Sequence, residues 1–328
     1  MHALVLAPFS ESQLNVLAKR LDVTYESWLD TRMIYAPEEL GARLTAEETG
    51  VLVVEGDFVF EEVFEKAPGL RFVGICRSGT NQVDVASATA RGVVVVNTPG
   101  RNARAVAEHA LALMLALARR IPESHAYVSQ GKWLNPAEPY ISMRGMELGG
   151  RTLGIVGLGS TGAALAALAS AVGMQVIAYD PYVESAPSGP RLAGLDDMLA
   201  GSDFVSLHVP LTAETEGMID DRRLSVLKPG AYIVNLSAAA IVSETALAAA
   251  LESGRLAGAA LDVFPTHPVD PSYPLLHLPT VIATPHLGGA TVETIERHST
   301  AMADDILRFL GGERPKNLVN ASVWELRG

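Results

Sequence analysis

Residues 151–162 read RTLGIVGLGSTG: an apolar run of β character, a glycine-rich turn, and the start of an Ala-rich helical stretch at 162–172. A strand, a G-x-G-x-x-G turn and a helix in that order form the setting in which the motif binds a dinucleotide. Gly157 makes the tight turn, Gly159 admits a pyrophosphate against the backbone, and Gly162 lets helix and strand pack. The helix N-terminus adds N–H donors and the positive end of its dipole. Asp180 lies 23 residues past Gly157, at the end of the next apolar run MQVIAYD (174–180), where a carboxylate accepts both ribose hydroxyls of an adenosine. An acid there disfavours a 2′-phosphate, so NAD(H) is expected rather than NADP(H).

Outward from this turn the same rhythm continues. Apolar runs SDFVSLHVP (202–210), AYIVNLS (231–237), LAGAALDVF (256–264) and TVIATPH (280–286) alternate with helical periodicities, as βαβ units around a mostly parallel sheet require. Upstream, ALVLA (3–7), DVTYE (22–26), GVLVV (50–54), RFVGIC (71–76) and VVVV (93–96) predict a second sheet of the same kind. NTPGRNAR (97–104) breaks the pattern before a long helix at 105–120, and the Gly/Pro/Trp-containing stretch up to Gly150 reads as irregular. After His286 a helical segment ends at Gly311-Gly312, and the short tail PKNLVNASVWELRG is expected to return to the first sheet.

Composition bounds the functional classes. The 328 residues exceed what one core usually serves, so two domains are expected. Hydrophobic residues make up 48% and charged residues 19%, as in a folded, soluble protein. The longest apolar run, Ala110 to Ala118, is far too short to span a bilayer, and the N-terminus lacks the basic start of a signal peptide; a cytoplasmic protein is expected. The single cysteine, Cys76, excludes an internal disulfide and any Cys-based zinc cage; no metal is expected. A net charge of −12 argues against nucleic acid as a partner and obliges any anion site to be built locally.

Of the eight histidines, His267 in FPTHP and His286 in TPHLGG follow strand ends on the edge of the sheet where ligands sit, suited to proton transfer. Gly288 and Gly289 allow close approach of something bound behind His286. His2, His125, His277 and His298 have no neighbouring chemistry, and His109 lies on the long helix. Asp262 ends the strand GAALD on the same edge, as a ligand group or as a loop carboxylate. The turn RSGTNQVD (77–84) is either an anion nest or merely a turn.

Seven collinear segments, among them RGVVVVNTPG (91–100), VAEHALALMLALARR (106–120), LHVPLTAETEGMID (207–220), LKPGAYIVNLS (227–237) and LPTVIATPHLGGAT (278–291), resemble the D-isomer-specific 2-hydroxyacid dehydrogenases. The resemblance implies an α/β fold of two doubly wound parallel-sheet domains. One is a flavodoxin-like substrate domain, residues 1–98 plus 289–328. The other is a Rossmann NAD-binding domain, 99–288, with the active site in a cleft between them. It implies NAD contacts at Ser160, Thr161, Asp180, His208, Val209, Pro210, Leu236, Ser237, Ala238 and Asp262, and from His286 to Gly289, in addition to the glycine turn. It places substrate contacts on Ser78, Gly79 and Asn102; Arg77 and Arg104 are further substrate-side candidates, for a displaced cation, and the catalytic pair is read as His286 with His267. A hydroxy or keto acid substrate and a homodimer are further implications.

The chain departs from the family pattern where chemistry is concentrated. The usual N-x-S-R-G-x-x-V-D stands here as NLSAAAIVS (235–243), so Ala238 takes the place of the arginine that grips the substrate carboxylate. The glutamate that normally charges and orients the catalytic imidazole is replaced by His267. An imidazole cannot supply that negative charge, so the acid limb of a pH–rate profile is expected below that of Glu-bearing relatives. An NAD-dependent oxidoreductase with a larger or less acidic substrate is the leading expectation. Arg77, Arg101 or Arg104, the last above all, would supply a displaced cation. The alternatives are an NAD(H)-binding sensor or scaffold with impaired catalysis, and an oxidoisomerase that uses NAD transiently.

Overall fold

The computed structural model describes residues 1–186 and 189–325. The chain divides into two units, Met1–Arg101 with the segment from Thr291 onward, and Asn102–Ala290.

The first unit is a five-stranded parallel sheet of β1 (His2–Val5), β2 (Asp22–Tyr25), β3 (Thr49–Val54), β4 (Phe72–Ile75) and β5 (Val94–Asn97), in the order β2-β1-β3-β4-β5. This is the flavodoxin-like order. Every residue of β3, TGVLVV, is buried, the signature of a parallel strand covered on both faces. One cover is the helix Val292–Leu310, which buries Thr294, His298, Met302 and Ile306 in a stripe with a spacing of one turn. Thr291 starts that helix, its hydroxyl accepting from the Thr294 N–H at 3.1 Å. The tail comes back as expected: the Val319 N–H donates to the Val95 carbonyl at 2.8 Å, and the Asn320 side chain accepts from the Val95 N–H at 2.9 Å. Buried Asp305 anchors the approach by accepting from the N–H groups of Lys316 and Asn317.

The second unit is a seven-stranded parallel sheet: β6 (Thr152–Val156), β7 (Gln175–Tyr179), β8 (Arg191–Leu192), β9 (Phe204–Leu207), β10 (Ala231–Asn235), β11 (Leu256–Leu261) and β12 (Val281–Ala283), in the order β12-β11-β10-β9-β6-β7-β8. Read from β8, this is the dinucleotide-fold order with one further strand, and its switch point lies between β6 and β9. Two apolar clusters fill its faces, one holding Leu165, Phe204 and the long helix Ala103–Ala118, the other Ile219, Ile233 and Leu247.

Three features differ from the sequence expectation. β9 ends at Leu207, level with Val156 of β6 and Asn235 of β10, which leaves His208–Pro210 in the loop beyond the sheet. The stretch after residue 120 is partly helical, with helices Ile121–Ser129 and Ala137–Ser142. Pro122 lies in the first turn of the former, where its missing N–H has no helical partner to lose. β8 is too short for periodicity to reveal it. Among the described residues no helix is long and apolar enough to cross a membrane.

Candidate active site

The ends of β6, β7, β9, β10, β11 and β12 bring the sequence-selected groups of the second unit to one edge of its sheet. At the glycine turn the three glycines have separate reasons. Gly157 has φ +91°, and a Cβ on it would lie 2.7 Å from the His208 carbonyl oxygen. A Cβ on Gly162 would lie 2.0 Å from the Gly157 carbonyl oxygen. Gly159, by contrast, has φ −68°, and a Cβ there would meet no atom of the chain within 4 Å. Gly159 also stands at the N-cap of the helix Ser160–Ala171 without a side-chain cap. The second glycine therefore faces open space in front of a helix N-terminus, the place for a pyrophosphate. Asp180 steadies the turn, accepting from the Leu158 N–H at 2.8 Å and from the Tyr182 N–H at 2.9 Å. A carboxylate offers roughly four acceptor positions, so about two remain for hydroxyl donors.

Beyond β9, the His208 ring lies 2.8 Å from the Ser206 hydroxyl, and burial holds its pKa down at about 4, which keeps it neutral. Beyond β10, buried Asn235 clamps the next three residues: its amide donates to the Ala238 carbonyl at 2.9 Å and its carbonyl accepts from the Ser237 N–H at 3.0 Å. The Ser237 hydroxyl donates to the Val209 carbonyl. Ala238 is extended (φ −151°, ψ 145°), and its methyl packs half-buried against the apolar cluster under the sheet.

Asp262, only 1% exposed, organises the loop after β12. Oδ1 accepts from the Thr284 hydroxyl at 2.6 Å and the Leu287 N–H at 2.8 Å, and Oδ2 accepts from the Gly288 N–H at 2.7 Å. This accounts for the paired glycines: a Cβ on Gly288 would come within 3.0 Å of Asp262 Oδ2, and one on Gly289 within 2.8 Å of Asn102 Nδ2. The close approach they permit includes the chain's own side chains. The loop holds His286 at φ +56°, a left-handed conformation that few non-glycine residues adopt, histidine more readily than most. There His286 Nδ1 lies 3.2 Å from His267 Nε2 on the exposed edge, with ring centroids 5.0 Å apart.

The arginines considered as substitutes for the missing cation differ in commitment. Arg104 is 58% exposed and paired with Glu108 one turn along its helix, at 2.5 Å. Such a surface pair is worth only about 0.3–0.5 kcal/mol and is readily given up. In the first unit, Arg77 is exposed after β4, whereas Arg101 is held in an ion pair with Glu55 and donates to His298 Nδ1 at 2.7 Å. In the turn 77–84, Ser78 accepts from the Asn97 amide and the Gly100 N–H. No described residue of that turn, Gly79 included, has a positive φ, so an anion there would meet ordinary turn N–H groups rather than an αR–αL nest.

Two further histidines belong to long-range networks, one buried and one part-buried. His298 is fully buried, donates from Nε2 to the Pro8 carbonyl at 2.6 Å, and has its pKa lowered, by burial first. His109 reaches the Asp262 loop, with Nε2 at 3.2 Å from the Thr284 hydroxyl. Their partners lie far away in sequence, and no local pattern marks them.

The chain has counterparts among known proteins along nearly its whole length. Residues 111–288 match the family model "D-isomer specific 2-hydroxyacid dehydrogenase, NAD binding domain", and the chain belongs to that family. It is 37% identical over 97% of its length to a 2-hydroxyacid dehydrogenase of Bacillus subtilis (strain 168), covering 93% of that protein. It is 40% identical over 97% of its length to D-3-phosphoglycerate dehydrogenase of Mycobacterium leprae, of which it spans only 58%. Among solved structures, the TT0316 protein of Thermus thermophilus superposes with a TM-score of 0.86 at 35% identity, over 97% of this chain and all of that one. The second unit is thus an NAD-binding domain.

Proposed function

We propose that the chain is an NAD-dependent oxidoreductase acting on the CH–OH group of a hydroxy compound or the C=O group of its keto counterpart, with a substrate atypical for the family. The observation that carries this reading is the pair of imidazoles, His286 Nδ1 to His267 Nε2 at 3.2 Å, on the edge of the sheet that bears the glycine turn.

The residues fit NAD on three counts: the open space over Gly159, the uncapped helix start behind it, and the acceptor positions left on Asp180. Asp262 keeps one further acceptor position, on Oδ2, for an amide donor such as the carboxamide of a nicotinamide. When bound, that ring supplies or takes the hydride. His286 exchanges the proton of the substrate oxygen at Nε2, since Nδ1 is turned to His267. His267 orients the ring by a hydrogen bond, without contributing the negative charge that a glutamate would.

Ala238 sets the substrate class. Its methyl offers neither a charge-assisted bond to a carboxylate nor bulk to confine a small acid. A larger or less acidic compound fits the loss of the family's cation, and Arg104, exposed and paired with Glu108, is the arginine assigned to replace it.

The test begins with calorimetric titration of NAD+ and NADH, followed by a screen of hydroxy acids, keto acids and sugar acids for a change in NADH absorbance. Turnover on a bulky or weakly acidic member, abolished by His286→Asn, is expected. Binding without turnover across the panel would favour an NAD(H) sensor, and failure to bind would end the proposal.

A further inference from the structure

His109 stands part-buried on the helix Ala103–Ala118, far in sequence from the loop after β12, yet its ring meets that loop at Thr284. The hydrogen-bond directions can be worked out. Asp262 can only accept, so the Thr284 hydroxyl spends its single proton on Oδ1, at 2.6 Å. The Thr284 oxygen must then accept from His109, which fixes a proton on Nε2. A directed chain results: His109 Nε2–H to Thr284 Oγ1–H to Asp262, whose carboxylate also gathers the N–H groups of Leu287 and Gly288 just after His286. His109 Nε2 also lies 3.7 Å from Asp262 Oδ1.

We propose that His109 is a positioning residue for the His286 loop. It acts through Thr284 and Asp262 on the two N–H groups that fix the left-handed turn, and it touches neither substrate nor cofactor. The proposal builds on the reading of His286 as the proton-exchanging group, but its physical content is the rigidity of the loop, which can be measured without turnover. His286 at φ +56° is in a conformation that the surroundings must enforce; beside the bond from its own N–H to the Thr284 carbonyl at 2.9 Å, this network bonds to the backbone at Leu287 and Gly288.

The test compares four variants of the full chain without added cofactor, by amide hydrogen exchange at Leu287 and Gly288. His109→Phe keeps a flat ring but removes the donor; His109→Gln places an amide nitrogen where Nε2 stood; His109→Asn places one only where Nδ1 stood; Thr284→Val breaks the chain at its middle. Exchange at both amides is expected to rise about 5- to 10-fold in His109→Phe, His109→Asn and Thr284→Val, the size set by losing one hydrogen bond, and to return toward the parent rate in His109→Gln. Once a substrate is known, kcat should fall about 10-fold in His109→Phe while KM for NAD stays within about 2-fold, as for supporting groups behind a reacting one. Unchanged exchange at both amides in His109→Phe and Thr284→Val would overturn the proposal, as would equal behaviour of His109→Gln and His109→Asn. If His109→Phe does not fold, Thr284→Val decides. Turnover surviving His286→Asn would instead remove the catalytic reading and leave the exchange result standing.

Discussion

Replacing Gly159 and Gly162 by alanine, one at a time, separates cofactor binding from folding. At Gly162 the new Cβ would sit 2.0 Å from the Gly157 carbonyl oxygen, far inside any contact real Cβ atoms tolerate. The oxygen belongs to main chain in a turn with φ +91°, and the Cβ is fixed rigidly to a helix backbone, so neither can swing aside as the end of a side chain would. Overpacking of this kind costs roughly 1–3 kcal/mol, which in a unit of this size lowers Tm by about 3–10 °C. At Gly159 the Cβ meets nothing within 4 Å, and φ −68° suits alanine. Stability should stay within about 1 kcal/mol of the parent, because the roughly 0.4–1 kcal/mol gained from fewer unfolded conformations is offset by the poorer fit of alanine at a helix N-cap. That methyl would, however, fill the space in front of the helix N-terminus, and NAD affinity should fall at least ~10-fold, about 1.4 kcal/mol. Calorimetric titration with NADH, paired with thermal scans, reads both quantities. Tight NADH binding by Gly159→Ala, or an undiminished Tm for Gly162→Ala, would refute the assignment of the turn.

Three further outcomes are expected. His208, lowered by burial from 6.5 to about 4, takes up a proton in the unfolded chain before it does in the folded one, so stability is full above about pH 6.5 and is lost as pH falls toward 4. The loss from His208 is at most about 3 kcal/mol, and His298, lowered in the same direction, adds to it; denaturant midpoints that do not move across this window would contradict it. Cys76 is fully buried after β4 and burial pushes its thiol well up, so native labelling by a thiol reagent should run on the order of 10²-fold or more slower than labelling of the unfolded chain. The double variant Ala238→Arg with His267→Glu should raise turnover of small 2-keto acids by about 10²-fold or more, the scale of restoring a transition-state donor; steady-state kinetics on glyoxylate would show it.

The parallel sheets were legible because strands buried on both faces are written as unbroken apolar runs; TGVLVV and TLGIV need no context to be read. The glycine turn was legible because its constraints are local: each glycine answers to atoms within a few residues or to the neighbouring strand end. Asp262 was only half legible. Its position at a strand end drew notice, but three donors from residues 284–288 are what define its work. His109 and His298 were not legible, since what makes them matter is a hydrogen bond across 175 and 290 residues of chain. The glycines after His286 suggest in the sequence the approach of something bound, whereas the groups the structure places against them are the side chains of Asp262 and Asn102, which no local pattern names.

The return of the tail to β5 bears on how the chain comes off the ribosome. Strands β1 to β5 emerge well before the helix Val292–Leu310 that covers them and the Asn320 side chain that caps β5, with the whole second unit in between. The dinucleotide-binding unit, encoded without interruption between them, can finish folding while the older half is still waiting for its lid. Birth order and folding order are thereby inverted, and the exposed flank of β5 is the stretch a chaperone would have most reason to shield in the interval.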